Sequence, residues 1–314
     1  MRFTKTVQGV PVTYFFPEDA VLSALSYEPR PGDIFVTTYP KCGTTWVQYI
    51  AYGIFHNGVP PTELSQFFAA SPFLDLFGVD AVETMSKPGT IKTHLPFEEK
   101  KFSPRSKYIY VARNPYDVCV SAYHHVQTQT ATEDEHVVPI DEHVKRFVSG
   151  RNNYGCYLKD SLIPWYTRRH ESNVLFLTYE ELHNDIKLQV KRIAEFLGPD
   201  YGRRVSRDPS MLQRVVEMTS KERMRPLFKN FLMANIELAA QYQKHKNTLV
   251  PQELEDTLKF LQDRPLRHEF VRQGSVGGYK SFLSENQRRT LEEWISASTH
   301  GSDVTRLWPN VTLP

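Results

Sequence analysis

Short apolar runs alternate with longer amphipathic stretches along this chain, a pattern that predicts parallel strands each followed by a helix. The first run, Asp33 to Tyr39, leads through Pro40-Lys41-Cys42-Gly43-Thr44-Thr45-Trp46 into a helical stretch over Val47 to Ala51. The second, Thr90 to His94, is short and ends at Leu95-Pro96, because proline withdraws a ladder donor. The third, Tyr108 to Ala112, ends in Arg113, after which Asn114 and Pro115 read as the cap and first position of a helix running to about Gln127. The fourth, Asn173 to Thr178, ends at Tyr179 and precedes a helix over Asp185 to Leu197 that Gly198-Pro199 stop.

Further helical patterns run over Ile140 to Ser149, Tyr154 to His170, Pro209 to Met218, Pro226 to Lys246, Pro251 to Leu261 and Glu285 to Ala297. Between Thr128 and Pro139 the chain is polar, acidic and aperiodic, and reads as a loop. The loop-rich segment Pro60 to Val79 carries Phe67, Phe68, Phe73 and Phe77, too apolar for a solvated connection and suited to lining a cavity. An aromatic cluster, Tyr14-Phe15-Phe16, and a proline-bounded turn at Pro29 to Gly32 precede the first strand. Neither repeats nor linkers interrupt the pattern. The expectation is one α/β domain over residues 1–314, with a central parallel sheet covered by helices.

The 314 residues carry a formal charge of +2, so there is no global basic field and nucleic acid is not an expected partner. Cys42, Cys119 and Cys156 are too few and scattered for a disulfide framework or a zinc site, and read as free thiols in a reducing compartment. No metal is expected. No run of 18 apolar residues and no signal-type segment occurs, which predicts a soluble cytoplasmic protein with no membrane partner. The glycosylation-type triplet Asn310-Val311-Thr312 carries no weight in that compartment.

The turn at Lys41 to Trp46 has the chemistry of an anion site. Gly43 permits close backbone approach, the first N–H groups of the following helix point outward, and Lys41 adds a full charge. It is not the ordinary triphosphate loop, whose lysine follows the last glycine; here Lys41 precedes Gly43. In open parallel sheets ligands sit beyond the carboxyl ends of the strands, where Lys41, Lys92, His94, Arg113 and Tyr179 all fall. Alternation puts Lys92 and His94 on one face of their strand, which makes His94 a candidate general base.

The wording Thr-Tyr-Pro-Lys-Cys-Gly-Thr-Thr-Trp at a strand end resembles the phosphosulfate loop of the cytosolic sulfotransferases, and the resemblance extends from about Gly9 to Lys280. It implies a P-loop-kinase-like fold and the cofactor 3′-phosphoadenosine 5′-phosphosulfate (PAPS), leaving as adenosine 3′,5′-bisphosphate (PAP). On that resemblance Lys41, Cys42, Gly43, Thr44, Thr45 and Trp46 hold the 5′ end. Lys92-Thr93-His94 match the family's Lys-Thr-His, with His94 as base and Lys41 and Lys92 stabilising charge on the leaving oxygen. Arg113 and Ser121 match the 3′-phosphate site, and Arg272-Gln273-Gly274 match the segment that closes over it, with Gln273 in place of a lysine. Trp46, Tyr179 and Thr219-Ser220 match the adenine site, with Lys221 in place of an aromatic. Phe16 and Phe73 match residues lining the pocket of a small acceptor: a phenol, a steroid-like alcohol or an aryl amine.

Phe97 and Tyr123 lie close in sequence to these elements. The family's dimerisation motif is not matched at Lys280 to Ser284, which leaves the homodimer uncertain. The long stretch between Ser220 and Arg272 reads equally as a lid or as a surface insertion. Cys42, at a helix start beside a cation, is expected to ionise below the ordinary thiol value of about 8.5, the alternative being a buried small hydrophobe of normal reactivity. Two rival readings differ in testable features: a small-molecule P-loop kinase needs an acid at a strand end to hold magnesium, and a silent nucleotide binder would lack the Lys41, Lys92 and His94 set.

Overall fold

A computed structural model of the chain describes residues 4–130, 138–246, 248–263, 271, 274–309, 311 and 313. Four strands form a parallel sheet: β3 (Ile34–Thr37), β4 (Ile91–Thr93), β5 (Lys107–Ala112) and β6 (Val174–Thr178), after an amino-terminal hairpin of β1 (Thr4–Val7) and β2 (Val10–Thr13). The sheet order is β4-β3-β5-β6. Residues Phe35, Val36 and Thr37 pair with Ile91, Lys92 and Thr93 on one side and with Tyr108, Ile109 and Tyr110 on the other. This register brings Lys41, His94 and Arg113 together at the carboxyl ends of the strands.

β3, β5 and β6 are largely buried on both faces, so they read as continuous apolar runs rather than alternating ones, whereas β4 is the short Ile91-Lys92-Thr93. Val36, Ile109, Val111 and Leu177 pack under the helices Thr44–Phe55, Ile186–Leu197 and Pro209–Met218, through Val47, Ile50, Ile54, Val190, Ile193 and Val215. The opposite face carries Phe35, Tyr108, Tyr110 and Ala112, packed among Phe147, Leu158, Leu162 and Trp165. Period two along β5 therefore sorts its side chains between two cores.

The predicted strands and the helices after them are all present, but several boundaries differ. The β1–β2 hairpin was not expected; it turns at Gln8 and Gly9, both at positive φ (46° and 83°), with strands too short to show alternation. Gly198 does end a helix, yet Pro199 opens another, Pro199–Arg207, because proline suits a first helical position. Pro226 lies in the last turn of Lys221–Leu227, and a separate helix, Phe231–His245, follows. The expected helix from Tyr154 starts only at Tyr157, since Tyr154 and Gly155 adopt positive φ (66° and 78°), and begins as a π-turn over Tyr157–Leu162. Thr128 to Thr130, expected in the loop, extend the helix Pro115–Thr130; residues 131–137 of that loop lie outside the described residues, as do Asn310 and Thr312. The segment Pro60 to Val79 folds into Leu64–Ala70 and Leu74–Phe77, with Val79–Glu83 directly after.

Candidate active site

The carboxyl ends of β3, β4, β5 and β6 open into a cavity of about 630 Å³. Lys41, Gly43, Thr44, Thr45 and Trp46 line one end, with Arg113, Ser121, Tyr179, Thr219 and Gly274; Lys92, His94, Phe16 and Phe73 line the other. Arg272 and Gln273 lie outside the described residues.

Lys41 and Gly43 both take positive φ (73° and 106°), which curls the loop so that the helix Thr44–Phe55 starts at the cavity without a side-chain cap. Its first-turn N–H groups have no partner within the helix and face the position an anion would take. A Cβ at position 43 would stand 3.0 Å from the Tyr179 ring, so glycine is required by contact as well as by φ. The Trp46 indole donates to the Thr219 carbonyl at 3.0 Å, and its ring meets Tyr179 edge-on at 5.5 Å. These contacts join the phosphate loop to the predicted adenine side. Lys221 lines the same end and supplies an aliphatic stem where the resemblance expected a ring.

Arg113 is buried, its guanidinium 4.2 Å from the Tyr179 ring centroid. It donates to the Lys41 carbonyl and the Ser275 carbonyl, both at 3.1 Å, while its buried Nε has no partner. A buried, unpartnered donor on a cation is what an anionic group of a bound nucleotide would satisfy. Behind it, Asp117 accepts from the Gly277 and Tyr279 N–H groups and from Asn114, which anchors the 274–279 loop to the helix start. Glu180 accepts from Asn114 and from the Trp308 indole.

At the other end the His94 ring is held by Nδ1, which donates to the Thr38 carbonyl at 2.7 Å. That bond fixes the neutral tautomer with the lone pair on Nε2. Burial, then the nearby Lys92 and Lys41 charges, push the His94 pKa well below the ordinary value, against the Thr38 bond. Lys92, lowered by burial to about 8, lies 3.8 Å from the Phe73 ring centroid. Asp75, fully buried, accepts from the Thr93 hydroxyl at 2.7 Å and from the His94 N–H at 2.8 Å.

Phe16 and Phe73 meet edge to face at 5.7 Å, and Met224, Phe231, Leu232 and Ile236 complete an apolar wall. The helices over 221–245 therefore form part of the cavity, which a detached surface insertion would not. Phe97 packs on Trp165 and Phe102, and Tyr123 on His143 and Phe282; neither lines the cavity. Sequence reasoning missed Asp75, Asp117, Glu180, His125 and Asn153. Two of them had a signal: Asp117 follows the cap residue Asn114 by three, and Asp75 interrupts the apolar run Phe73 to Phe77.

Cys42 overturns an expectation. Its side chain is turned away from the cavity into the core beneath the sheet, with no exposure. Desolvation outweighs the Arg113 and Lys41 charges and the thiol pKa is pushed up to about 12. Iodoacetamide is therefore expected to label Cys156 first and to leave Cys42 and the buried Cys119 unmodified in the native protein, by mass spectrometry of the alkylated peptides.

A family model described as a sulfotransferase domain matches residues 31–303. The chain belongs to the sulfotransferase family. Sulfotransferase 1B1 of Mus musculus is 30% identical over 96% of this chain and 93% of its own, and sulfotransferase 1A1 of Canis lupus familiaris 28% over 96% and 94%. Among solved structures, mouse SULT7A1 complexed with PAP superposes on this sulfotransferase with a TM-score of 0.68 at 21% identity, over 98% of both chains. Retinol dehydratase in complex with androsterone and inactive cofactor PAP gives 0.67 at 21%, over 96% of this chain and 91% of that one. At that identity the structures establish the shared fold. Membership also removes the kinase alternative: Tyr39, His94, Arg113 and Tyr179 stand at the strand ends, and none is an acid.

Proposed function

We propose that this sulfotransferase takes PAPS as donor and transfers its sulfuryl group to a hydroxyl or amine of a small apolar or aromatic acceptor, with His94 as general base. The observation that carries the reading is the Nδ1–H to Thr38 bond of His94, in one cavity with the loop at Lys41 and Gly43. When bound, the cofactor supplies a sulfuryl group attached to a good leaving phosphate. The residues supply the rest. The loop N–H groups and Lys41 hold the 5′ end, and Arg113 and Ser121, with the 274–279 loop that Asp117 anchors, hold the 3′-phosphate. Trp46, Tyr179 and Thr219 surround the base.

His94 Nε2 takes the proton of the acceptor, and the fixed tautomer keeps that lone pair available. Lys92 and Lys41 bring positive charge to the end where negative charge builds on the leaving oxygen. Phe16, Phe73, Phe231 and Ile236 exclude water and hold an apolar body, which favours a phenol or steroid-like alcohol over a carbohydrate. Cys42, Cys119 and Cys156 are all unpaired, which suits a reducing compartment, and on that ground we assign the protein to the cytoplasm. Among the described residues no helix is long and apolar enough to cross a membrane. Calorimetric titration tests the donor: PAP is expected to bind without magnesium and ATP to compete poorly, and preferential magnesium-dependent ATP binding would overturn the reading.

A further inference from the structure

Asp75 is a carboxylate with no exposure, in a helix, Leu74–Phe77, whose other residues are apolar. A buried carboxylate is costly unless its oxygens are bonded and its charge is answered. Both oxygens are used: Oδ1 accepts the Thr93 hydroxyl and Oδ2 the His94 backbone N–H. Thr93 Oγ1 in turn accepts from the Leu95 N–H at 3.1 Å, so the turn after β4 is held at three consecutive residues. From the opposite side Thr38 holds the His94 ring. The segment that leads into this helix lies against β4, with the Lys92 N–H donating to the Pro72 carbonyl at 2.9 Å and the Lys92 ammonium 3.8 Å from the Phe73 ring centroid. Lys92 is thus the positive charge that answers Asp75, and Asp75 partly offsets the burial of Lys92.

We propose that Asp75 is a positioning residue of the catalytic end: it fixes the backbone from which His94 projects and keeps Lys92 cationic at neutral pH. This deepens the assignment of His94 and Lys92 and rests on it. Burial raises the Asp75 carboxyl to about 6, against the bonds from Thr93, His94 and the Tyr154 hydroxyl and the Lys92 charge, so at pH 7 most of it is ionised. Lys92 holds its proton up to about pH 8 and loses it above, and removing the anion lets that proton leave at lower pH.

The other charged groups around this pair act elsewhere or in one direction. Asp19 and Asp80, from the neighbouring helices, pair with Lys246, and Glu83 pairs with Arg30. His94 and His125 are pushed down by burial and then by the nearby lysine charges, and the Tyr154 hydroxyl, which faces the Asp75 carboxylate, is raised by burial and then by that anion. Among the described residues, none of these supplies a negative charge to Lys92 in place of Asp75.

Asp75→Asn tests this, because an amide can keep one acceptor on the His94 N–H and turn its donor to Thr93 Oγ1, so the geometry survives while the charge goes. With ¹³Cε-labelled lysines, Lys92 is assigned by comparison with Lys92→Arg and titrated by NMR. The Lys92 pKa is expected to fall by ~1 unit or more in Asp75→Asn. The alkaline limb of kcat/KM should fall with it, while PAP affinity stays within about twofold of wild type. A companion Thr93→Val removes the hydroxyl's bonds to Asp75 and Leu95 but no charge, and should lower kcat without moving the limb. An unmoved Lys92 titration in a folded Asp75→Asn that binds PAP, or a uniform loss of rate with no change in the pH profile, would overturn the proposal. The NMR titration needs no turnover, so absence of sulfuryl transfer by the wild-type enzyme would count against the proposed function alone.

Discussion

Replacing His94 by alanine is expected to lower turnover about a hundred- to ten-thousand-fold, the range a positioned general base contributes, while PAP binds as before. The two effects separate because His94 lies with Lys92 and the apolar wall, and the groups suited to the nucleotide lie around Arg113 and Trp46. The loss should appear in kcat. Alanine leaves the Thr38 carbonyl without its ring donor, a cost of about 1 kcal/mol that lowers stability more than affinity. His94→Gln sharpens the test, since it can keep a donor near Thr38 but has no basic nitrogen. Retention of more than half of wild-type turnover in either variant would remove His94 from the mechanism.

Arg113→Ala is expected to weaken PAPS binding by about 2 to 3 kcal/mol, roughly thirty- to a hundred-and-fifty-fold, the upper range for hydrogen bonds to a charged group. Arg113 has a second job here. Its bonds to the Lys41 and Ser275 carbonyls tie the phosphate loop to the 274–279 loop, so some loss reflects geometry rather than direct contact. Comparing PAPS with the analogue lacking the 3′-phosphate apportions the two, by calorimetry on both proteins. The direct share should vanish for the analogue, leaving a smaller residual loss from loosened loops. An equal loss with both ligands would make Arg113 purely structural.

Much of this was legible in the sequence, for identifiable reasons. Strands buried on both faces write themselves as unbroken apolar runs, so β3, β5 and β6 stood out, and parallel topology then put Lys41, His94 and Arg113 at the carboxyl ends of the strands. The loop at Lys41 and Gly43 was readable because its chemistry is local: one backbone conformation, one cation, one helix start. Cys42 was misread for the same reason. Local chemistry favoured a thiolate, but its burial depends on side chains distant in sequence, such as Tyr157 and Tyr110, which pack in the same core. Asp75 and Glu180 were invisible as functional residues because their partners are non-local: Asp75 meets His94 nineteen residues on, and Glu180 meets Asn114 across sixty-six. The wall formed by Met224, Phe231 and Ile236 was undecidable from sequence, since an amphipathic helix looks alike whether it covers a cavity or a core.

The most direct test of the central claim is transfer itself. Purified protein incubated with ³⁵S-labelled PAPS and a panel of phenols, steroid-like alcohols, aryl amines and sugars should yield labelled product on apolar hydroxyl or amine acceptors. PAP should form in equal amount, and His94→Ala should form neither above background. Tight binding of PAPS with no labelled product on any acceptor would contradict the account, as would label passing to sugars in preference to phenols.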